Sequence, residues 1–248
     1  KGVLLAVAGS PGAGKSFLFY TIGLALAAGI SVLGMTPARP YRVVYFDEEN
    51  STPDRVQYLR WAWHGLNCPS LPLLAKNFWS VSFQLGSDEW AEHAEAHLVE
   101  HQPELFVLDT TTPACHIQDE NDNAEASRAL GAIRRLMGVG NPLATAIVLK
   151  HAKVRAEDGI YTLRGAKQWE GGVDGIVYQV KHAGGTRHDG LNNTTLHPGK
   201  TRAFGLRESV GIMPSWAGEN REGIALARGE AGVDEDPRPR RSHHRRAE

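Results

Sequence analysis

The chain has 248 residues, of which 42% are hydrophobic and 22% charged, enough for one large α/β domain with a sizeable core or for two small ones. Its 27 basic and 28 acidic residues leave a formal net charge of −1. That balance excludes attraction of the whole molecule to nucleic acid or to an anionic membrane, so a role on DNA requires local basic loops.

The chain opens Lys1-Gly2, shows no signal-peptide pattern and passes directly into an apolar strand, Val3–Ala8. Ser16–Ala28, rich in Leu and Ala, reads as a helix ended by Gly29. The stretch from Phe17 to Met35 is nearly uncharged and long enough to span a membrane. Gly23, Gly29 and Gly34 interrupt it, and a buried helix followed by a turn accounts for it better. No membrane is expected as a partner.

Arg42–Asp47 (RVVYFD) is a second buried strand. Thr52 then offers an N-cap, with Pro53 at the first position of a helix ending near Gly65. Ser87 caps a further helix with Asp88 and Glu89 in its first turn, and Trp90, Ala94 and Leu98 form its apolar stripe. Leu105–Asp109 (LFVLD) is the third strand. Ala126, Leu130, Ile133 and Met137 mark another helix, ended by Gly138 and Gly140. Thr145–Lys150 and Gly175–Val180 are the fourth and fifth strands. Strands alternating with helices predict a parallel sheet covered on both faces. Beyond Val180 the pattern weakens into hairpins or edge strands up to Trp216. The expected organisation is one domain over residues 1–216 and a disordered, arginine-rich tail over 217–248. Cys68 and Cys115 lack metal-ligand spacing. They read as free thiols of a reducing compartment, hence a cytoplasmic protein, with a single bridge between them as the alternative.

Gly9-Ser10-Pro11-Gly12-Ala13-Gly14-Lys15-Ser16 fits G-x-x-x-x-G-K-[ST] in full, between an apolar strand and a helix. Glycines let successive N–H groups turn inward onto a phosphate, and the helix N-terminus adds its positive dipole end. The pattern therefore predicts an ATP cradle from Gly9 to Phe17. Lys15 faces the β- and γ-phosphates and the Ser16 hydroxyl faces Mg²⁺. Asp109, at the carboxyl end of its strand, is the second metal-side residue. The second strand ends Asp47-Glu48-Glu49-Asn50, a run of like charges that calls for a cation or a water network close by.

These motifs together resemble the RecA-like ATPases, with RepA-type hexameric replicative helicases and KaiC-like ATPases most similar. The resemblance spans roughly residues 2–206, most of the chain, with the phosphate-loop spacing as its sharpest element. It implies a three-layer, doubly wound, mainly parallel α/β sheet of the P-loop NTPase type. The P-loop strand, the His151 strand, the Asp109 strand and the Glu49 strand would be adjacent in that order. It also implies Glu49 as the glutamate that polarises the attacking water, Glu48 as its assistant and His151 as reader of the γ-phosphate. In that family the segments after the third and fourth strands face DNA. Thr111–Asp122 is acidic, whereas Ala152–Gly172 holds Lys153, Arg155, Arg164 and Lys167. Arg164, within LRGA, and Lys200 or Arg202, within K-x-R, are the cations the resemblance would send into a neighbouring subunit's site. The expected activity is ATP hydrolysis in a homo-oligomer, a hexamer by analogy, acting as a motor on single-stranded DNA. A nucleotide-dependent switch binding protein partners is the alternative, and a small-molecule kinase a weaker third.

Overall fold

A computed structural model describes residues 2–68, 76–82, 89–154, 161–165, 167–182, 191–201 and 208–229. The apolar runs form the centre of one sheet: β1 (Leu4–Gly9), β2 (Val43–Asp47), β3 (Phe78–Val81), β4 (Leu105–Asp109), β5 (Thr145–Val154) and β7 (Gly175–Lys181). Their order is β7-β1-β5-β4-β2-β3, and every neighbouring pair is parallel. The order β1-β5-β4-β2 is the one the resemblance implied. Parallel strands need long crossovers, which place helices on both faces and bury the strands completely. Every residue of β2 and of β4 is accordingly buried.

Two apolar layers result, one on each face. On one face α1 (Lys15–Ala28) sets Leu18, Phe19, Tyr20 and Leu24 against Val7, Val43, Tyr45, Val107 and Leu149. On the other, α3 (Trp90–His101) and α5 (Asn123–Leu136) set Trp90, Ala94, Leu98, Ala126, Leu130 and Ile133 against Ala6, Val44, Phe46, Phe106, Leu108 and Val148. The stripes read from the sequence are thus the buried stripes. The short helices α4 (Thr111–Ala114) and α6 (Gln168–Gly172) follow β4 and the small strand β6 (Tyr161–Leu163), which pairs antiparallel with the end of β5. No helix among the described residues is long and apolar enough to cross a membrane.

Several details differ from the sequence reading. The cap of α2 (Thr52–Gly65) is Ser51, whose hydroxyl accepts from the Asp54 N–H at 3.4 Å, and Thr52 is already helical. Both hydroxyls satisfy the capping rule, and only the extended backbone at Ser51 decides between them. β3 is too short to announce itself in the pattern. Ser87 and Asp88 lie outside the described residues. The sheet continues past β7 as an antiparallel annex of β8 (Thr194–Thr201), β9 (Val210–Ala217) and β10 (Gly223–Gly229). The folded region therefore runs past Trp216 into the stretch read as tail. β10 was missed because apolar residues occupy only part of it, with Ile224 buried and Ala227 and Arg228 exposed.

β10 is anchored on the end of α2 by backbone contact. A Cβ added at Gly65 would stand 1.9 Å from the Ile224 carbonyl oxygen, and one at Gly223 would stand 2.5 Å from the Gly65 nitrogen. The Gly65→Ala variant is expected to lose ~1–3 kcal/mol, as overpacking against immovable backbone does, seen as a lower urea midpoint with an unchanged slope. Gly131, helical and open to solvent, supplies the contrast: Gly131→Ala should gain about 0.5–1 kcal/mol.

Candidate nucleotide-binding site

The carboxyl ends of β1, β5, β4 and β2 meet at one edge of the sheet, and the candidate residues are distributed over them. Gly9 closes β1 between His151 on β5 and Gln179 on β7. Any Cβ at Gly9 would meet the Gln179 carbonyl oxygen at 2.5 Å. The loop then turns through Gly12 at φ +68° and Gly14 at φ +80°, left-handed conformations that glycine adopts without strain. α1 starts at Lys15 with no acid in its first turn, so its positive end is left for an external anion.

Lys15 is 6% exposed. Its ammonium donates to the carbonyl oxygens of Gly9 at 3.1 Å and Ser10 at 3.2 Å. Burial pushes its pKa down, the carboxylates of Glu49 and Asp109 push it up, and the Lys181 charge lowers it again. A cavity of about 310 Å³ opens at this edge, lined by Pro11, Gly12, Ala13, Gly14, Lys15, Ser16, Phe17, Glu49 and His151. Its wall continues in Asn50, Tyr58, Trp61, Leu191, Asn192, Pro214 and Ile224.

Two carboxylates lie buried at the ends of β2 and β4, outside the cavity lining. Asp47 and Asp109 are register partners on β2 and β4, and both are fully buried. Tyr45 donates to Asp109 Oδ2 at 2.7 Å and Tyr20 to Asp47 Oδ2 at 2.8 Å, with the two phenol rings stacked at 4.0 Å. Burial, followed by the Asp47 charge, pushes the Asp109 carboxyl up to about 7, while hydrogen bonds from Tyr45 and Ser16 pull the other way. Asp109 Oδ1 is buried without a full-geometry donor among the described residues. An orphaned carboxylate oxygen beside a serine hydroxyl is an all-oxygen donor set that fits Mg²⁺.

Asp47 Oδ1 accepts the N–H groups of Glu49 at 3.2 Å and Asn50 at 2.9 Å, folding the turn so that Glu49 is exposed on the cavity wall. Glu48 is half-buried, and its N–H bonds the Asp109 carbonyl at 2.7 Å. Its position ties β2 to β4 and is not part of the lining. His151 is half-buried with Nδ1 unpartnered among the described residues. Burial first, then the Lys15 charge, lowers its pKa and favours a neutral imidazole.

Two of the cations expected to act between subunits, Arg164 and Lys200, are not part of the cavity lining. Arg164 pairs with Glu120 at 3.0 Å, and its N–H donates to the His151 carbonyl at 2.9 Å. Lys200 donates to the carbonyls of Glu170 and Val173, closing the end of α6. It sits beside Gly175, at the opposite end of the sheet from its own phosphate loop. Arg202 lies outside the described residues.

Some residues were not anticipated. Gln179 Nε2 bonds the Ala13 carbonyl at 2.7 Å and holds the phosphate loop from β7. Lys181 brings its ammonium to 3.3 Å from where a Gly12 Cβ would be. Lys150 is buried with its amine 3.1 Å from Thr111 Oγ1 and 4.1 Å from the Trp169 ring centre, and burial lowers its pKa to about 8. A polar glutamine within the apolar run GIVYQVK was the one legible signal among these.

A strand, phosphate loop and helix joined to this strand order define a RecA-like P-loop ATPase domain. Residues 1–157 match the family model described as AAA domain, and the chain belongs to that family, whose members bind nucleotide, typically with Mg²⁺. A search of curated proteins gave no match. Among solved structures, a KaiC-like protein of the hyperthermophilic archaeon Pyrococcus horikoshii OT3 superposes with a TM-score of 0.62 at 13% identity, over 91% of this chain and 89% of that one. It shares the fold.

The buried Asp109 makes stability depend on pH. Its ordinary value is 3.8 and its folded value about 7, so between these the folded chain holds a proton that the unfolded chain has released. This contribution weakens the fold as pH rises, by at most ~1.4 kcal/mol per pH unit. In nucleotide- and metal-free protein, Asp109→Asn should therefore reduce the decline of the urea midpoint between about pH 5 and 7.

Proposed function

We propose that the domain hydrolyses ATP within an oligomer of like subunits and works as a motor on single-stranded DNA. The observation that carries the hydrolytic reading is that Lys15, Ser16, Glu49 and His151 line one cavity, with Asp109 buried at the neighbouring strand end. Lys15 holds the β- and γ-phosphate charge after leaving the Gly9 and Ser10 carbonyls. Ser16 and Asp109 hold the metal, which when bound neutralises phosphate charge. Glu49 orients and polarises the attacking water, and Glu48 assists by fixing the strand end from which Glu49 projects. His151, neutral, reads the γ-phosphate and passes its presence to the Arg164 segment through the backbone bond between them.

Arg164, Lys200 and Arg202 remain the candidates for a cation donated by the next subunit. Lys200 stands too far along the sheet to serve its own phosphate loop. Arg164 would exchange Glu120 for a phosphate of the neighbouring site. The basic residues of the segment after β5 motivate the DNA reading. A second reading, a nucleotide-dependent switch for protein partners, is favoured by the acidic first loop, where Glu120 already neutralises Arg164.

Lys15→Ala and Glu49→Gln should each reduce steady-state ATP turnover by on the order of 100-fold or more. Glu48→Gln should lower it less. Near wild-type phosphate release by either of the first two variants overturns the mechanism. For the finer reading, single-stranded DNA should stimulate turnover in a salt-dependent way. Absence of stimulation at low salt, together with partners captured differently with ATP and ADP, would replace the motor by the switch.

A further inference from the structure

The last turns of α3 carry His97, Glu100 and His101 in the spacing His-x-x-Glu-His. Residues three and four apart on a helix share one face, so two imidazoles and a carboxylate are brought together without any long-range contact. Their ligand-capable atoms lie within 4.8 Å of one another. Ligand atoms of a tetrahedral zinc site stand roughly 3.3 Å apart, given Zn–N bonds near 2.0–2.1 Å. The remaining gap would have to be closed by side-chain rotation, for which the exposed Glu100 has the most freedom.

The two rings are held in place. His101 stacks on Trp79 of β3 with centroids 4.1 Å apart and planes 9° apart, and His97 meets the Phe46 ring edge-on at 6.3 Å. The imidazoles themselves lie 5.8 Å apart at 22°. Side chains already held in this way lose less freedom when they bind. The helix ends at His101, where the negative end of its dipole favours a cation, and His101 is the sole basic residue of the last turn.

Stacking alone accounts for the rings but not for the carboxylate beside them. Glu100 Oε2 is 3.9 Å from His101 Nε2, an ion pair when His101 is protonated, which is the competing explanation. We propose that His97, Glu100 and His101 form a binding site for a divalent transition metal of the zinc class, with a fourth position open to water or another donor. Two imidazoles and one carboxylate suit Zn²⁺, Ni²⁺ or Cu²⁺ and do not suit Mg²⁺. The site lies on the face of the sheet covered by α3 and α5, opposite α1, and is separate from the nucleotide cavity.

The test uses the full chain, free of nucleotide and Mg²⁺. Zn²⁺ is titrated by calorimetry, and Co²⁺ by its visible absorption. One ion per chain is expected, with affinity reduced at least ~10-fold in His101→Gln and also reduced in Glu100→Gln. Glu100 is exposed, so its variant keeps the test decisive should His101→Gln disturb the Trp79 contact. A His243→Ala, His244→Ala double variant controls for the two adjacent tail histidines and should bind as the parent does. Asp109→Asn controls for the oxygen site and should also bind normally. No uptake at about 100 µM free Zn²⁺ would overturn the assignment, as would binding unchanged in both α3 variants or binding lost with the tail histidines. None of these readouts involves ATP, so the result is independent of the hydrolytic reading.

Discussion

Two carboxylates buried side by side on adjacent strands constrain everything around them. Asp47 and Asp109 are both shut off from water, where like charges repel strongly and each desolvated anion is costly. The chain answers with stacked tyrosines, each giving its hydroxyl to one acid, and with a turn whose N–H groups converge on Asp47. Asp109 receives less support, and burial with the Asp47 charge beside it pushes its carboxyl up to about 7. A cation at this place would lower the cost of both charges.

The parallel half of the sheet, β3 apart, was readable because burial on both faces turns each strand into an apolar run. The helix stripes followed from their spacing, and the strand order followed from the resemblance. Sequence patterns fail where a partner is distant. Tyr45 reads as one more apolar strand residue until its hydroxyl is seen on Asp109, and Gln179 meets Ala13 across 166 positions. Lys200 sits in a K-x-R pattern that suggests a free cation, yet two carbonyls at the end of α6 take its amine. β8 and β9 were legible only as unplaced hairpins or edge strands, and β10 escaped altogether, for a different reason. Strands with glycine, proline and exposed positions lack the periodicity by which a half-buried sheet is recognised.

The antiparallel annex completes the cavity. Seated on α2 through the Gly65–Gly223 approach, β10 and its partner β9 bring Ile224 and Pro214 to a wall they share with Tyr58, Trp61 and Leu191. The phosphate loop, the acidic turn and His151 come from the parallel core, while the apolar side comes largely from α2 and the annex. The cavity is thus assembled from segments more than 200 residues apart, and its shape depends on a helix and a hairpin meeting backbone to backbone.

The two hydrogen bonds from Lys15 to the carbonyls of Gly9 and Ser10 have one more consequence. The side chain that opens α1 is thereby tied back to the end of β1, across the base of the turn between them. Lys15 is therefore a brace of the turn as well as its charge, and exchanging it for an uncharged residue removes two backbone tethers together with the cation.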